Sequence, residues 1–247
     1  RCASCHEPHG SDREKLVRST DGAMCLSCHE DLGKRLAAGT GTHPPAAKKD
    51  CVKCHTPHSG KEPALLRVAE RETCESCHAG LQRKLSGLEI HRPFRSGRCS
   101  VCHDPHQSDQ PHLLQAATRQ ICMSCHPQVE RELLREVTHE PAKKGNCIAC
   151  HAPHGGETHA LLAVKTPELC TKCHEDIAAK IKSPGAHTAA AQGLCTRCHE
   201  PHGSQKKNLL RDKTSELCAS CHSGIGKEGE HVHPPVDPDH GRPVRLG

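Results

Sequence analysis

The 247-residue chain has too few apolar side chains to bury an ordinary hydrophobic core. Leu, Ile, Val and Phe together number 38, about 15% of the residues, and the chain has neither Trp nor Tyr. The formal charge of +5 is modest, and the lack of aromatic side chains for base stacking argues against a nucleic-acid partner. With 20 cysteines, the chain is expected to fill its interior with disulfides, metals or cofactors.

All twenty cysteines fall into ten Cys-x-x-Cys pairs, and a histidine directly follows every pair. Cys-x-x-Cys-His is the attachment motif of c-type haem, in which the adjacent imidazole supplies the proximal iron ligand. Zinc ribbons would explain the pairs but not ten histidines in one register, and a disulfide framework would not need the fixed spacing. The sequence therefore predicts ten covalently attached haem c groups.

The attachment cysteines are Cys2, Cys5, Cys25, Cys28, Cys51, Cys54, Cys74, Cys77, Cys99, Cys102, Cys122, Cys125, Cys147, Cys150, Cys170, Cys173, Cys195, Cys198, Cys218 and Cys221. The proximal histidines are His6, His29, His55, His78, His103, His126, His151, His174, His199 and His222.

The ten motifs alternate between two kinds along the chain. The odd-numbered motifs start 49, 48, 48 and 48 residues apart, and the even-numbered motifs have the same spacing. Each odd motif continues as His-x-Pro-His, and an apolar pair such as Leu65-Leu66 follows before the even motif. This periodicity predicts one elongated domain of five two-haem repeats and a proline-rich C-terminal arm. The repeats are 1–50, 51–98, 99–146, 147–194 and 195–233, and the arm is 234–247.

Apolar residues recur at helical spacing after four of the even motifs, and Pro and Gly clusters follow them. These residues are Leu32 and Leu36; Leu81 and Leu85; Val129, Leu133 and Val137; and Ile177 and Ile181. No segment alternates convincingly as a strand would. We therefore expect a mostly irregular chain with short α-helices and little or no β structure, folded around a string of haems.

The succession of Cys-x-x-Cys-His-x-Pro-His, an apolar pair and a second Cys-x-x-Cys-His resembles the doubled haem-binding motif of multihaem cytochromes c. The resemblance covers residues 2 to 233. It implies closely stacked haem pairs and electron transfer as the activity. Decahaem subunits of outer-membrane electron conduits and polymerised cytochrome nanowires are similar in kind.

Each haem iron needs a sixth ligand, which is usually His or Met. The two methionines, Met24 and Met123, lie beside or inside attachment motifs and cannot cross their own iron. Five histidines follow a proline after the odd motifs: His9, His58, His106, His154 and His202. Four more lie eight residues before an odd motif: His43, His91, His139 and His187. His233 is the best candidate for a fifth member of this class. These ten histidines predict bis-histidine ligation, although some of the Pro-His residues could instead cap turns or bond propionates.

Four histidines remain outside these classes: His112, His159, His231 and His240. We expect His112 and His159 to lie at the surface or to bond propionates, and His231 competes with His233.

The pairing of distal histidines with haems is open in the sequence. His9 leaves the chain on the proximal side of its own haem, so the haem attached at Cys25 and Cys28 is its simplest target. His43 either serves the haem at Cys51 or folds back onto the first haem. In the first case, His233 or His231 of one subunit would ligate the first haem of the next, and the chain would form a head-to-tail polymer.

Covalent haem attachment of this kind takes place outside the cytoplasm, so we expect a signal peptide once preceded Arg1. No apolar run approaches the length of a membrane span. The favoured function is electron transfer by an extracellular cytochrome filament, with redox-partner cytochromes or extracellular acceptors. A periplasmic or porin-embedded decahaem carrier is the alternative. A multihaem reductase is disfavoured, because no motif replaces its proximal histidine by lysine and the chain has no tyrosine.

Overall fold

A computed structural model describes residues 2–38 and 41–224 of the chain. This part of the chain is mostly irregular, with short α-helices and two small antiparallel sheets, which confirms the predicted fold class. The helices are α1 (Ala23–Leu26), α2 (Glu30–Ala38), α3 (Pro44–Ala47), α4 (Glu70–His78), α5 (Gly80–Lys84), α6 (Arg92–Arg95), α7 (Thr118–Met123), α8 (Pro127–Glu132), α9 (Glu140–Lys143), α10 (Glu168–Thr171), α11 (Glu175–Lys180), α12 (Thr188–Ala191) and α13 (Thr214–Ala219). The strands are β1 (Glu89–Ile90), β2 (Val137–Thr138), β3 (Gly155–Gly156) and β4 (Gly203–Ser204).

The chain divides into two compact units. Among the described residues, the first unit comprises 2–38, 41–122 and 152–161, and the second comprises 123–151 and 162–224. None of the helices in the described part of the chain is long and apolar enough to cross a bilayer.

The two kinds of attachment motif adopt different local structures. Each odd motif begins in a 3-10 turn, as at Cys51–Lys53, whereas the first cysteine of each even motif lies in a helix, as in α4. In both kinds the histidine amide donates to the carbonyl of the first cysteine, with a distance of 3.0 Å from His55 to Cys51. Residues three and four positions apart in such a turn share one face, so both thiols and the proximal imidazole project to the same side.

A tight reverse turn ties each odd motif to the apolar pair that follows it. The amide of Thr56 donates to the carbonyl of Leu65 at 2.8 Å, and the amide of Arg67 donates to the carbonyl of Cys54 at 2.9 Å. The corresponding bridges in the five repeats are His6–Val17, His55–Leu66, His103–Leu114, His151–Leu162 and His199–Leu210. The apolar pair therefore belongs to the same small loop as the proximal histidine.

Two sheets join segments that are distant in the sequence. Strand β1 pairs with β3 through Glu89–Gly156 and Ile90–Gly155, and β2 pairs with β4 through Val137–Ser204 and Thr138–Gly203. A single bridge between Thr42 and Gln107 repeats this arrangement. Each pairing places the backbone before one class of distal histidine against the backbone after the other class.

The expectation that Val137 continues the helix with Val129 and Leu133 is wrong. Helix α8 ends at Glu132, and Val137 lies in β2. Val and Thr are favourable strand residues, and the partner strand β4 lies 66 residues further along the chain. A short sequence window cannot reveal that partner.

One position before each later odd motif requires a left-handed backbone. Gly97, Gly145 and Gly193 have φ values of 71°, 75° and 74°, and Lys49 has a φ of 57° at the same place before the second odd motif. A β-carbon on Gly193 would lie 2.5 Å from the Cδ of Pro167, so glycine also permits a close approach there. These residues end the short helices α3, α6, α9 and α12 and turn the chain into the motif.

No apolar side chain in the described part of the chain is buried. Even large residues such as Leu134 and Ile148 remain 78% and 57% exposed. The protein atoms alone thus form no hydrophobic core, as the composition predicts, and the fold needs another apolar component to exclude water.

Candidate haem-binding sites

All twenty cysteines lie within the described part of the chain. Burial and the neighbouring thiol of Cys99 raise the pKa of Cys74 to about 12, and burial and Cys195 raise the pKa of Cys170 to about 11. Burial and Cys51 likewise raise the pKa of Cys25. In each case the first cysteine of an even motif lies beside the first cysteine of the next odd motif, so successive attachment points are adjacent.

A backbone carbonyl orients the proximal histidine of each odd motif for which the contact is described. The Nδ1 atoms of His6 and His55 hydrogen-bond to the carbonyls of Lys15 and Ala64, both at 2.8 Å. His103 and His199 make the same bond at 2.9 Å to His112 and Asn208. An Nδ1–H held in this way leaves Nε2 with its lone pair exposed, which is the usual arrangement of a metal-ligating histidine.

The carbonyls that receive these bonds come from residues with positive φ. Lys15, His112 and Asn208 have φ values between 55° and 59°, and Ala64 has a φ of 53°. In each of these repeats the next residue, a leucine such as Leu65, also has a positive φ. Sequence reasoning identified the apolar pair but missed the residue before it, because Lys, Ala, His and Asn share no side-chain property that would mark the position. His112 therefore acts on His103 through its backbone carbonyl and not through its side chain.

Several distal candidates are oriented in the same manner. The Nδ1 atom of His43 hydrogen-bonds to the carbonyl of Pro105 at 2.9 Å, and that of His91 to the carbonyl of Pro153 at 2.8 Å. His202 belongs to the Pro-His class, and its Nδ1 bonds to the carboxylate of Glu132 at 2.9 Å.

Proximal histidines of odd motifs face the Pro-His residue of the following repeat. Their ring centroids lie about 6 Å apart, and the rings of the first two pairs are nearly parallel, at 14° and 16°. The pairs are His6–His58 at 5.9 Å, His55–His106 at 6.0 Å, His103–His154 at 6.0 Å and His151–His202 at 6.0 Å.

Proximal histidines of even motifs face a histidine of the other class. The pairs are His43–His78 at 6.2 Å, His139–His174 at 6.1 Å and His187–His222 at 6.1 Å. In all three the distal residue precedes its partner by 35 residues, and the sequence repeats this separation between His91 and His126.

The ring separations fit a metal ion between each pair. An ion about 2 Å from each facing imidazole nitrogen places the two ring centroids about 6 Å apart, whereas stacked rings in van der Waals contact would be closer. Burial lowers the pKa of His106, His139 and His154, which favours the neutral imidazole that binds metals. The adjacent thiols supply the attachment points, so the residues fit haem c.

Five histidines have no ring partner among the residues that the structure describes: His9, His29, His112, His159 and His199. His9 is 95% exposed, and its only described ionic neighbour is Glu7 at 3.9 Å. The proximal His29 and His199 are exposed. His159 is 94% exposed and lies 3.5 Å from Glu89, a surface position. His231, His233, His240 and the arm 234–247 lie outside the described residues.

The profile of the doubled CXXCH motif matches the chain five times, at residues 1–34, 43–83, 91–131, 139–179 and 187–227. These matches cover most of the sequence, so the chain belongs to the doubled CXXCH motif family. It is a multihaem c-type cytochrome with ten attachment sites for haem c, and the family's activity is electron transfer. None of the curated proteins compared with the chain matches it. Four of the matched segments begin at a distal candidate: His43, His91, His139 and His187.

Proposed function

We propose that the facing histidines are the axial ligand pairs of the haems, and that the protein is a bis-histidine electron wire. The ring pairs at about 6 Å carry this proposal. Haem c supplies a reversible one-electron couple when bound. The chain's own residues attach it, ligate both faces and hold the imidazoles through their Nδ1 hydrogen bonds, which leaves little freedom for ligand exchange.

In this arrangement each distal histidine serves a neighbouring repeat. A Pro-His residue would ligate the odd haem of the preceding repeat, as His58 does for the haem on His6. A histidine of the other class would ligate the even haem of the following repeat, as His43 does for the haem on His78. Each repeat is thereby clamped to both of its neighbours, and successive haems are held at fixed, short separations suited to electron hopping.

The ring geometry favours a different target for His9 from the one expected from the sequence. By analogy with His58, His9 would ligate an odd haem of a preceding repeat and not the haem at Cys25 and Cys28. The haem on His199 would in turn need a Pro-His residue from a following repeat. His29 would need a histidine of the other class from a preceding repeat.

These two needs are complementary, and we propose that a second copy of the chain meets them. His9 of one copy would ligate the haem on His199 of a second copy. His233 or His231 of the second copy would ligate the haem on His29 of the first copy. The contact is heterologous, and such contacts produce open filaments when the rotation does not close. We infer an extracellular filament for long-range electron transport, with every haem six-coordinate.

The test compares His9→Ala with His58→Ala in the haem-loaded protein. We expect His58→Ala to convert one of ten haems to the high-spin state, as measured by electron paramagnetic resonance, whether or not the protein assembles. We expect His9→Ala to leave the subunit folded and to abolish the filaments seen by electron microscopy of the unaltered protein.

Filaments formed by His9→Ala would overturn the assembly proposal, as would an unaltered chain that stays monomeric with ten low-spin haems. In that monomer His231 or His233 would have to fill an open site in its own chain. An unchanged spin state in His58→Ala would overturn the ligand assignment itself.

A further inference from the structure

One distal histidine bonds to a charged group. The Nδ1 atom of His202 lies 2.9 Å from Oε2 of Glu132, and the two side chains are 26% and 16% exposed. His43 and His91 use the backbone carbonyls of Pro105 and Pro153 instead. A carboxylate that accepts the Nδ1 hydrogen bond of a metal-bound imidazole makes that imidazole a stronger electron donor.

The fold holds Glu132 in this position. Glu132 is the last residue of α8, and its carbonyl lies so close to Gly203 that a β-carbon there would overlap it. Ser204, which lies two residues after His202 in β4, is only 2% exposed. Arg135 donates to the carbonyl of Gly203 at 2.9 Å. The end of α8 is therefore fastened to the segment that carries His202.

The equivalent position two repeats earlier has the opposite charge. Arg35, like Glu132, lies six residues after the proximal histidine of its even motif. Arg35 donates to the carbonyl of Gln107 at 2.8 Å and pairs with the carboxylate of Asp104. Asp104 lies 3.7 Å from Nδ1 of His106, beyond hydrogen-bonding distance. The ion pair of Arg35 with Asp104 thus lies beside His106, whereas a carboxylate bonds directly to Nδ1 of His202.

We propose that Glu132 tunes the haem carried between His151 and His202 to a more negative reduction potential than the haem between His55 and His106. The carboxylate strengthens the donor power of His202 and stabilises the more positive, ferric iron. Beside His106 the carboxylate of Asp104 is paired with Arg35 and lies too far from Nδ1 to accept its hydrogen bond, so the distal ligand is not strengthened in this way there. The ion pair of Glu200 with Arg211 at 3.3 Å leaves the other carboxylate near His202 compensated. This inference rests on the proposed ligation of the haem on His151 by His202.

The haem between His151 and His202 would then have a lower reduction potential than the haem between His55 and His106. An electron would spend less time on the haem between His151 and His202 than on the haem between His55 and His106, so this difference would influence the flow of electrons along the chain. Glu132 is a positioning and tuning residue here, because it acts on the iron only through His202.

The experiment is a spectroelectrochemical titration of the fully loaded protein and its Glu132→Gln variant. We expect one-tenth of the total haem absorbance change to move to more positive potential in Glu132→Gln and to move further in Glu132→Arg. The reciprocal variant Arg35→Glu should move a different tenth to more negative potential. Superimposable titration curves for Glu132→Gln and the unaltered protein, or a shift to more negative potential, would overturn the inference.

A His202→Ala variant separates this inference from the ligand assignment. If His202 is the distal ligand, electron paramagnetic resonance of His202→Ala will gain one high-spin haem. That signal together with unshifted Glu132→Gln curves would reject only the tuning role, whereas its absence would reject the ligand assignment as well. Haem content and circular dichroism of each variant verify that attachment and fold are retained.

Discussion

At the scale of single residues, the chain uses unfavourable backbone conformations to aim hydrogen-bond acceptors. A non-glycine residue in the left-handed region costs about 1–2 kcal/mol. Lys15, Ala64, His112 and Asn208 nevertheless adopt it in four of the repeats. The conformation turns their carbonyl oxygens towards Nδ1 of the proximal histidines. Repetition of the same strained geometry indicates that the gain in ligand orientation outweighs its cost.

The first residue-scale prediction concerns Ala64, which is exposed and has a φ of 53°. Ala64→Gly should raise the free energy of unfolding by up to about 1 kcal/mol, since glycine adopts positive φ without a steric penalty. Ala64→Val should lower it, because a β-branched residue is an outlier there. Thermal unfolding of the haem-loaded protein, followed by circular dichroism, measures both changes.

The matched control is Ala179→Gly. Ala179 is equally exposed but lies in α11, where glycine should destabilise the protein by up to about 1 kcal/mol. If the two glycine substitutions change the free energy of unfolding in opposite directions, the argument from backbone conformation is supported. If both glycine variants destabilise the protein, the argument fails.

At the scale of elements, the short strands set the relation between the two classes of distal histidine. The amide of His139 donates to the carbonyl of His202 at 3.0 Å where β2 meets β4, and the amide of His43 donates to that of His106 at 2.9 Å beside the Thr42–Gln107 bridge. Two-residue strands contribute little stability by themselves. Their effect is to fix the register in which one repeat presents ligands to another.

Gly203 provides the element-scale prediction, because a β-carbon at this position would overlap the carbonyl of Glu132. We expect Gly203→Ala to force β4 away from α8 and to destabilise the protein by about 1–3 kcal/mol, the usual effect of overpacking. The displaced His202 should also dissociate from the iron of the haem on His151, which would appear as a partial high-spin signal.

Gly80→Ala is the control for this substitution, since a β-carbon on Gly80 would have no neighbour within 4 Å. Gly80 lies in α5, where alanine is the better helix former, so this variant should be neutral or slightly more stable. A Gly203→Ala variant as stable as Gly80→Ala, with all haems low-spin, would show that the close approach to Glu132 is unimportant.

At the scale of the whole molecule, the cofactor takes the place of the hydrophobic core. No apolar side chain is buried in the described part of the chain, and the twenty cysteines and their histidines are spread along nearly its whole length. The apolar faces of ten haem rings are the largest hydrophobic surfaces available to drive folding. Folding and haem attachment should therefore be inseparable.

The haem-free chain should consequently be unfolded. We expect small-angle X-ray scattering of the chain without attached haem to give a radius of gyration of roughly 55 Å, the value for an unfolded chain of this length. Its circular dichroism should lack a cooperative thermal transition, unlike that of the loaded protein. A compact haem-free chain with a sharp unfolding transition would contradict this view of the fold.

The sequence alone predicts the family, the cofactor and its ten attachment sites, because thioether attachment depends only on a five-residue motif. It also predicts the mostly irregular fold, because 38 Leu, Ile, Val and Phe residues are too few to form a hydrophobic core and the 20 cysteines attach haems that take its place. The 35-residue separation of His43 from His78 is present in the sequence as well. Nothing local, however, distinguishes it from the shorter separations that the same residues offer.

Only the tertiary structure decides which histidines meet. His58 faces His6 because the chain path folds one repeat back on its neighbour, and a ring pair across 52 residues depends on that path and not on local propensity. For the same reason Glu132 meets His202 while Arg35 meets Gln107, although the two residues occupy the same place in their repeats. Attachment is a property of adjacent residues, whereas ligation and its electrostatic surroundings are properties of residues brought together by folding.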